Sequence, residues 1–130
     1  MDCKRKNCFV CSTKVLTGKD LNKDCTKKNI IYEIHCLTCE EKENERIDAL
    51  DNLDDEEKTK LKRDVRKVKY VGESSRSGYD RGYEHLDKLA TLNSNSHMLK
   101  HMVEEHYMED FQKVKWGMFI TRFMRTAFER

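Results

Sequence analysis

An α+β fold is what this 130-residue chain predicts: a small antiparallel three-stranded sheet flanked by helices, with a cysteine-rich N-terminal extension and a charged helical insertion. Three observations point there. Three short segments alternate in polarity or gather β-branched and aromatic residues, which is the period of a half-buried strand. Two stretches of helical period lie between the second and third of these segments. All six cysteines fall within the first 39 residues, where apolar residues are scarce.

Taken in order, residues 3–25 show no helix or strand period of any length and read as a loop-rich knuckle whose order comes from something other than a core. Ile30, Tyr32 and Ile34 alternate with Ile31, Glu33 and His35, which predicts the first strand, and Cys36-Leu37-Thr38-Cys39 follows at its end. From Glu40 to Arg66 the chain is almost wholly charged. Ile47, Leu50, Leu53, Leu61 and Val65 form one thin helical stripe, broken at Asp54-Asp55. This reads as one or two exposed helices between two strands that would otherwise form a hairpin, with a disordered insertion as the alternative.

Val68 to Gly72 is a second short strand and Ser74 to Gly78 a turn. Tyr79 to Leu92 carries Tyr79, Tyr83, Leu86, Leu89 and Ala90 on one helical face. Ser96 is placed to cap a second helix, His97 to about Tyr107. Val114, Trp116, Met118 and Ile120 alternate in a third strand, and Arg125 to Arg130 begins a last helix. Sheet plus helices on its faces is the simplest packing of that order. The expected division is a cysteine-rich unit over residues 1–28 and a main domain over 29–130, with the insertion at about 40–67.

The apolar supply is thin, with 37% hydrophobic and 38% charged residues, so a metal or disulfide staple is expected. No apolar run is long enough to span a bilayer, and Met1 to Lys6 has no apolar signal core, so no membrane partner is expected. An intracellular, nuclear location follows as the expectation, with thiols kept reduced and metal ligation ranked above disulfides. Net charge is only +2. Residues 1–29 nevertheless carry eight Lys/Arg against three Asp, and that excess suits a polyanion.

Cys8 and Cys11 have knuckle spacing, in which two thiolates converge on one ion. With Cys3 and Cys25 they make four thiolates, enough to close a tetrahedral structural zinc site. Cys36 and Cys39 repeat the spacing, and His101-x4-His106 supplies a zinc-compatible histidine pair. The resulting Cys2His2 site would tie the first strand to the second helix. His97 with His101 is the competing pair. Both sites have four protein ligands and no open position, so both Zn²⁺ ions would be structural and catalysis would need other groups.

Ile30-Ile31-Tyr32 and Tyr70-Val71-Gly72 resemble the two half-motifs of the GIY-YIG nuclease superfamily. Arg81 and His85 match that family's helix with its arginine and following histidine. The CxxC between the half-motifs, the downstream histidine pair and the upstream cysteines are similar to the variant found in Penelope-like retrotransposons. Three departures stand out. Ile30 replaces the first glycine, a charged insertion of about 30 residues separates the half-motifs, and Glu129 is the one acid in the last segment where the family's metal-binding glutamate belongs. Either Glu129 is that residue or it lies past Arg130, which would make the chain an inactive fragment.

The resemblance implies phosphodiester hydrolysis. Tyr32 would be the general base, Tyr70 would position or activate the nucleophile, Arg81 would hold the phosphate and lower a tyrosine pKa, and His85 would orient a phosphate or relay a proton. One Mg²⁺ or Mn²⁺ on a carboxylate, Glu129 or in its place Glu84, would stabilise the leaving oxygen. Glu84 is expected on a different helical face from Arg81. The implied activity is single-strand nicking of DNA to prime reverse transcription, with a reverse transcriptase in the same polyprotein. The alternative is a non-catalytic zinc module that binds nucleic acid or protein.

Overall fold

The computed structural model describes residues 7–18, 23–64, 68–107, 110 and 113–124. The order is α1 (Phe9–Thr17), β1 (Ile30–Cys36), α2 (Leu37–Asp48), α3 (Asp55–Asp64), β2 (Val68–Ser74), α4 (Gly78–Ala90), α5 (His97–Glu105) and β3 (Trp116–Phe123). The α+β class and the three-stranded antiparallel sheet are as expected, in strand order β2-β1-β3. The expected final helix, residues 125–130, lies outside the described residues, as do Cys3 and Glu129. No described helix is long and apolar enough to cross a membrane.

β1 is the central strand, and its alternation sorts the two faces. Ile30, Tyr32, Ile34 and Cys36 are buried, while Ile31, Glu33 and His35 are only partly covered. Opposite Tyr32 and Ile34, β3 places Ile120 and Met118, so the same face continues across the pair. Phe9, Val10, Met98 and Met102 close over that face from α1 and α5. On the reverse face His35 packs against Phe119 at 4.6 Å. It also bonds Glu40 at 2.8 Å and Glu33 at 3.0 Å, which joins β1 to the first turn of α2.

The N-terminal segment departs from the expectation. It is not a coreless loop: α1 lies along β3, and Thr13 accepts a 2.9 Å hydrogen bond from the backbone N–H of Met118. That satisfies a donor on the open edge of the sheet. Crossing α4 at Gly82 is equally close, since a Cβ there would lie 2.9 Å from Phe9 Cβ and 3.0 Å from Met118 Sδ. β3 also starts two residues later than Val114.

The insertion is ordered as two helices. α2 begins directly after Cys36, and Asp54 caps α3 by accepting the Glu57 N–H at 2.8 Å. The break at Asp54-Asp55 therefore falls where the sequence places it. Lys58 and Lys62 both reach Asp48 and hold the two helices together.

A tyrosine–arginine–histidine cluster and two candidate metal centres

Antiparallel pairing sets Tyr32 of β1 opposite Gly72 of β2, with Ile34 opposite Tyr70. Tyr32 and Tyr70 thus share a face on diagonal positions, where large side chains reach each other. Their ring centroids are 6.0 Å apart. Gly72 is needed for this. A Cβ at that position would sit 2.6 Å from Tyr32 Cζ and Oη and 2.7 Å from Tyr70 Cε2. The tyrosine rings occupy the space a side chain would fill.

α4 brings the other two members. Its N-cap Ser77 accepts the Asp80 N–H at 3.2 Å, which fixes where the helix starts. Arg81 and His85, one turn apart, then fall on one stripe facing the sheet. Arg81 Nε donates to Tyr32 Oη at 3.0 Å, and His85 Nε2 lies 2.8 Å from the same oxygen. His85 also meets the edge of Tyr70 at 5.5 Å between centroids. All four residues expected at a catalytic centre in the described chain therefore converge on one hydroxyl.

The electrostatics of that hydroxyl differ from the expectation. Burial pushes Tyr32 up to about 12, and the hydrogen bond and positive charge of Arg81 only partly offset it. Interaction with Tyr70 adds to the rise. Burial also pushes His85 down to about 4, helped by the charges of Arg81, Lys88 and His97, so its imidazole is neutral at physiological pH. Tyr32 is wholly buried, whereas Tyr70 is partly exposed and is the outward member of the pair.

Two neighbours were placed differently by the sequence. Glu84 does not face away from Arg81: its Oε2 accepts from Arg81 Nη1 at 2.7 Å, and its other oxygen meets Arg76. The i,i+3 spacing of Arg81 and Glu84 is the signal that would have found this contact. His97, weighed as a metal ligand, stacks on Tyr70 at 4.6 Å and 27° instead.

Cys36, Cys39, His101 and His106 bring four ligand atoms within 4.8 Å of one another. Nε2 of His106 is 3.4 Å from Cys36 Sγ, 3.3 Å from Cys39 Sγ and 3.2 Å from His101 Nε2. Cys39 Sγ and His101 Nε2 are 3.3 Å apart. With Zn–S at about 2.3 Å and Zn–N at about 2.05 Å, a tetrahedron has S···N edges of about 3.6 Å and an N···N edge of about 3.4 Å. Those four distances match the edges of such a tetrahedron, slightly contracted, and the remaining two are no longer than 4.8 Å. Burial pushes the Cys36 thiol up to about 12, against the pull of the Cys39 amide, so a bound metal would have to displace a firmly held proton.

Cys8, Cys11 and Cys25 form the second group, all buried. Cys11 and Cys25 sulfurs are 3.7 Å apart, matching an S···S tetrahedral edge of about 3.8 Å and far beyond a disulfide of about 2.05 Å. Cys8 caps α1, and its sulfur accepts the Cys11 N–H at 3.5 Å. Cys25 O accepts the Tyr79 N–H at 2.8 Å, which fastens this group to the start of α4. Both groups can hold a metal ion with thiolate or imidazole donors. Comparison with family models, with curated proteins and with solved structures returned no match to this chain, so its chemistry has to be read from its own residues.

Proposed function

We propose that the protein is a DNA endonuclease of the GIY-YIG type that nicks one strand by phosphodiester hydrolysis. The observation that carries this is the meeting of Tyr32, Tyr70, Arg81 and His85, from three separate elements, around one hydroxyl. A merely structural tyrosine needs one partner. Tyr32 has a guanidinium and a neutral imidazole on the same oxygen, with a second phenol beside it.

Hydrolysis needs a proton taken from water as its oxygen attacks phosphorus. A buried phenol near 12 is a poor base alone, but it relays well. Water would give its proton to Tyr70 on the outward side while the Tyr70 proton passes to Tyr32 and that of Tyr32 to Nε2 of His85. The hydroxide forms the new P–O bond as the leaving P–O bond breaks. Arg81 would hold the phosphate and stabilise the charge passing through Tyr32. Among the described residues the carboxylate bonded into the cluster is Glu84, which is shared by two guanidiniums; by the resemblance, Glu129 would carry Mg²⁺ or Mn²⁺. When bound, that ion would neutralise the leaving oxygen.

The Cys36, Cys39, His101, His106 group would hold a closed structural Zn²⁺, and Cys3 would complete the Cys8, Cys11, Cys25 group for a second. Lys23, Lys27 and Lys28, exposed beside the latter group, would add phosphate contacts. Nuclear DNA is the expected substrate, and priming of retrotransposon reverse transcription by a polymerase in the same polyprotein is the role this reading implies. The test is nicking of supercoiled plasmid with Mg²⁺ or Mn²⁺. Full activity in a chain carrying Tyr32→Phe, Tyr70→Phe and Arg81→Ala would refute the assigned site. DNA retardation by the zinc-loaded chain with no nicking would favour the binding-module alternative.

A further inference from the structure

Glu84 is bonded by two arginines at the mouth of the cluster. Oε2 accepts from Arg81 at 2.7 Å, and Oε1 meets Nη1 of Arg76. Arg81 is largely covered, whereas the Arg76 side chain is 59% exposed and Glu84 29%. Two guanidiniums converging on the two oxygens of one planar anion is the geometry with which arginines grip phosphate. The bend that carries Arg76 is itself fixed. Its N–H donates to Ser74 Oγ at 3.0 Å, and Ser75 O accepts the Asn29 N–H at 3.4 Å. That second bond ties the bend to the segment that carries Lys28, whose side chain is exposed.

We infer that Arg76 and Arg81 clamp two phosphates of one nucleic-acid strand, and that Glu84 stands in for that backbone when no strand is bound. The inference rests on the nuclease reading and adds to it a second phosphate subsite and a resident competitor. Arg81 keeps the scissile phosphate. Arg76 takes a neighbouring one, on the side of the Lys28 loop. Glu84 holds both guanidiniums in place in the unbound protein and is displaced by a stronger, doubly contacted anion. Removing the carboxylate charge should therefore raise affinity, and the gain should depend on Arg76, which the mere loss of a nearby negative charge would not require.

The test is fluorescence anisotropy of a labelled DNA duplex with the zinc-loaded chain and no added Mg²⁺ or Mn²⁺, repeated across a salt series. Arg76→Ala should weaken binding at least fivefold and lower the slope of log K against log salt by about 0.9, the loss of one phosphate contact. Arg76→Lys should keep most of that slope. Glu84→Gln should tighten binding at least threefold, and the gain should vanish when Arg76→Ala is added. Unchanged slope and affinity in Arg76→Ala, or equal or weaker binding in Glu84→Gln, overturns the clamp, as does a wild-type chain that does not bind DNA. Should Arg76→Ala fail to fold, Glu84→Gln alone decides. A chain that binds as described but never nicks leaves the clamp standing and removes the nuclease reading. One that nicks with normal binding in both variants does the reverse.

Discussion

Gly72 is the residue at which the backbone of β2 gives way to two tyrosine rings. An added Cβ would fall 2.6 Å from Tyr32, whose ring is buried and cannot swing aside. Gly72→Ala should therefore cost about 1–3 kcal/mol of stability, as overpacked sites do, and abolish nicking by moving both phenols. Urea unfolding and the plasmid assay read the two effects separately. His85 gives a pH prediction at the same scale. Its folded value near 4 lies below the ordinary 6.5, because burial and then Arg81 resist the proton. The unfolded chain takes up that proton between those values and the folded chain does not. Stability should thus fall as pH drops from about 6.5 toward 4, by up to about 1.4 kcal/mol per pH unit from this group. His85→Gln should flatten that part of the profile, and identical profiles for the two chains in urea titrations would contradict the neutral buried imidazole. These four clustered residues were singled out through the resemblance of their motifs, and strand pairing and the i,i+4 rule explain how each pair comes to share a face. The Arg81–Glu84 contact was open to the same reading through its i,i+3 spacing and was missed because the expectation set Glu84 on a different face.

At the scale of elements, α5 connects the tyrosine cluster with a metal group. His97 and His101 are one turn apart on it, the first stacked on Tyr70 and the second facing Cys39 at 3.3 Å. Ser96, buried, caps the helix by accepting the Leu99 N–H at 3.1 Å, so the turn between the two histidines is well anchored. An aromatic stack of this kind is worth about 0.5–1.5 kcal/mol. His97→Ala should reduce nicking roughly two- to tenfold through a looser Tyr70, and His97→Phe should restore most of it. Zinc content should stay at the wild-type value in both, which separates a stacking role from ligation. α1 shows the opposite limit of sequence reading. Its buried face mixes Phe9 and Val10 with Cys11 and Thr13, whose hydroxyl is committed to the sheet edge, so no apolar stripe marks it. Only the position of the β3 edge reveals why a threonine belongs inside. By contrast the insertion was legible as helix, since Asp54 caps α3 through the same break that interrupts the apolar stripe.

Across the whole molecule the question is what a chain with 37% hydrophobic residues uses to hold its sheet and helices together. Tyr32 occupies central core volume, so the cluster itself takes space that a simpler fold would fill with aliphatic side chains. Metal ions held by the two candidate groups would compensate, and the groups close very different lengths of chain. Cys8 to Cys25 spans 17 residues, whereas Cys36 to His106 spans 70. A clip across the longer loop removes more entropy from the unfolded chain, by about 1 kcal/mol on loop length alone. The longer clip also joins β1 and α2 to the end of α5, while α1 keeps its own hold on β3 through Phe9, Val10 and Thr13. Cys39→Ser should therefore lower the melting temperature more than Cys11→Ser does. With both sites intact, native mass spectrometry should count two zinc ions per chain. A strong chelator should then unfold the protein, with the edge-on contact of His101 and Trp116 at 5.3 Å making Trp116 fluorescence the reporter of the Cys36, Cys39, His101, His106 site. If Cys11→Ser proves the more damaging, the core around α1 and not the long clip governs stability. If chelation leaves the melting curve unmoved, the tetrahedral spacing of these ligands has no energetic role.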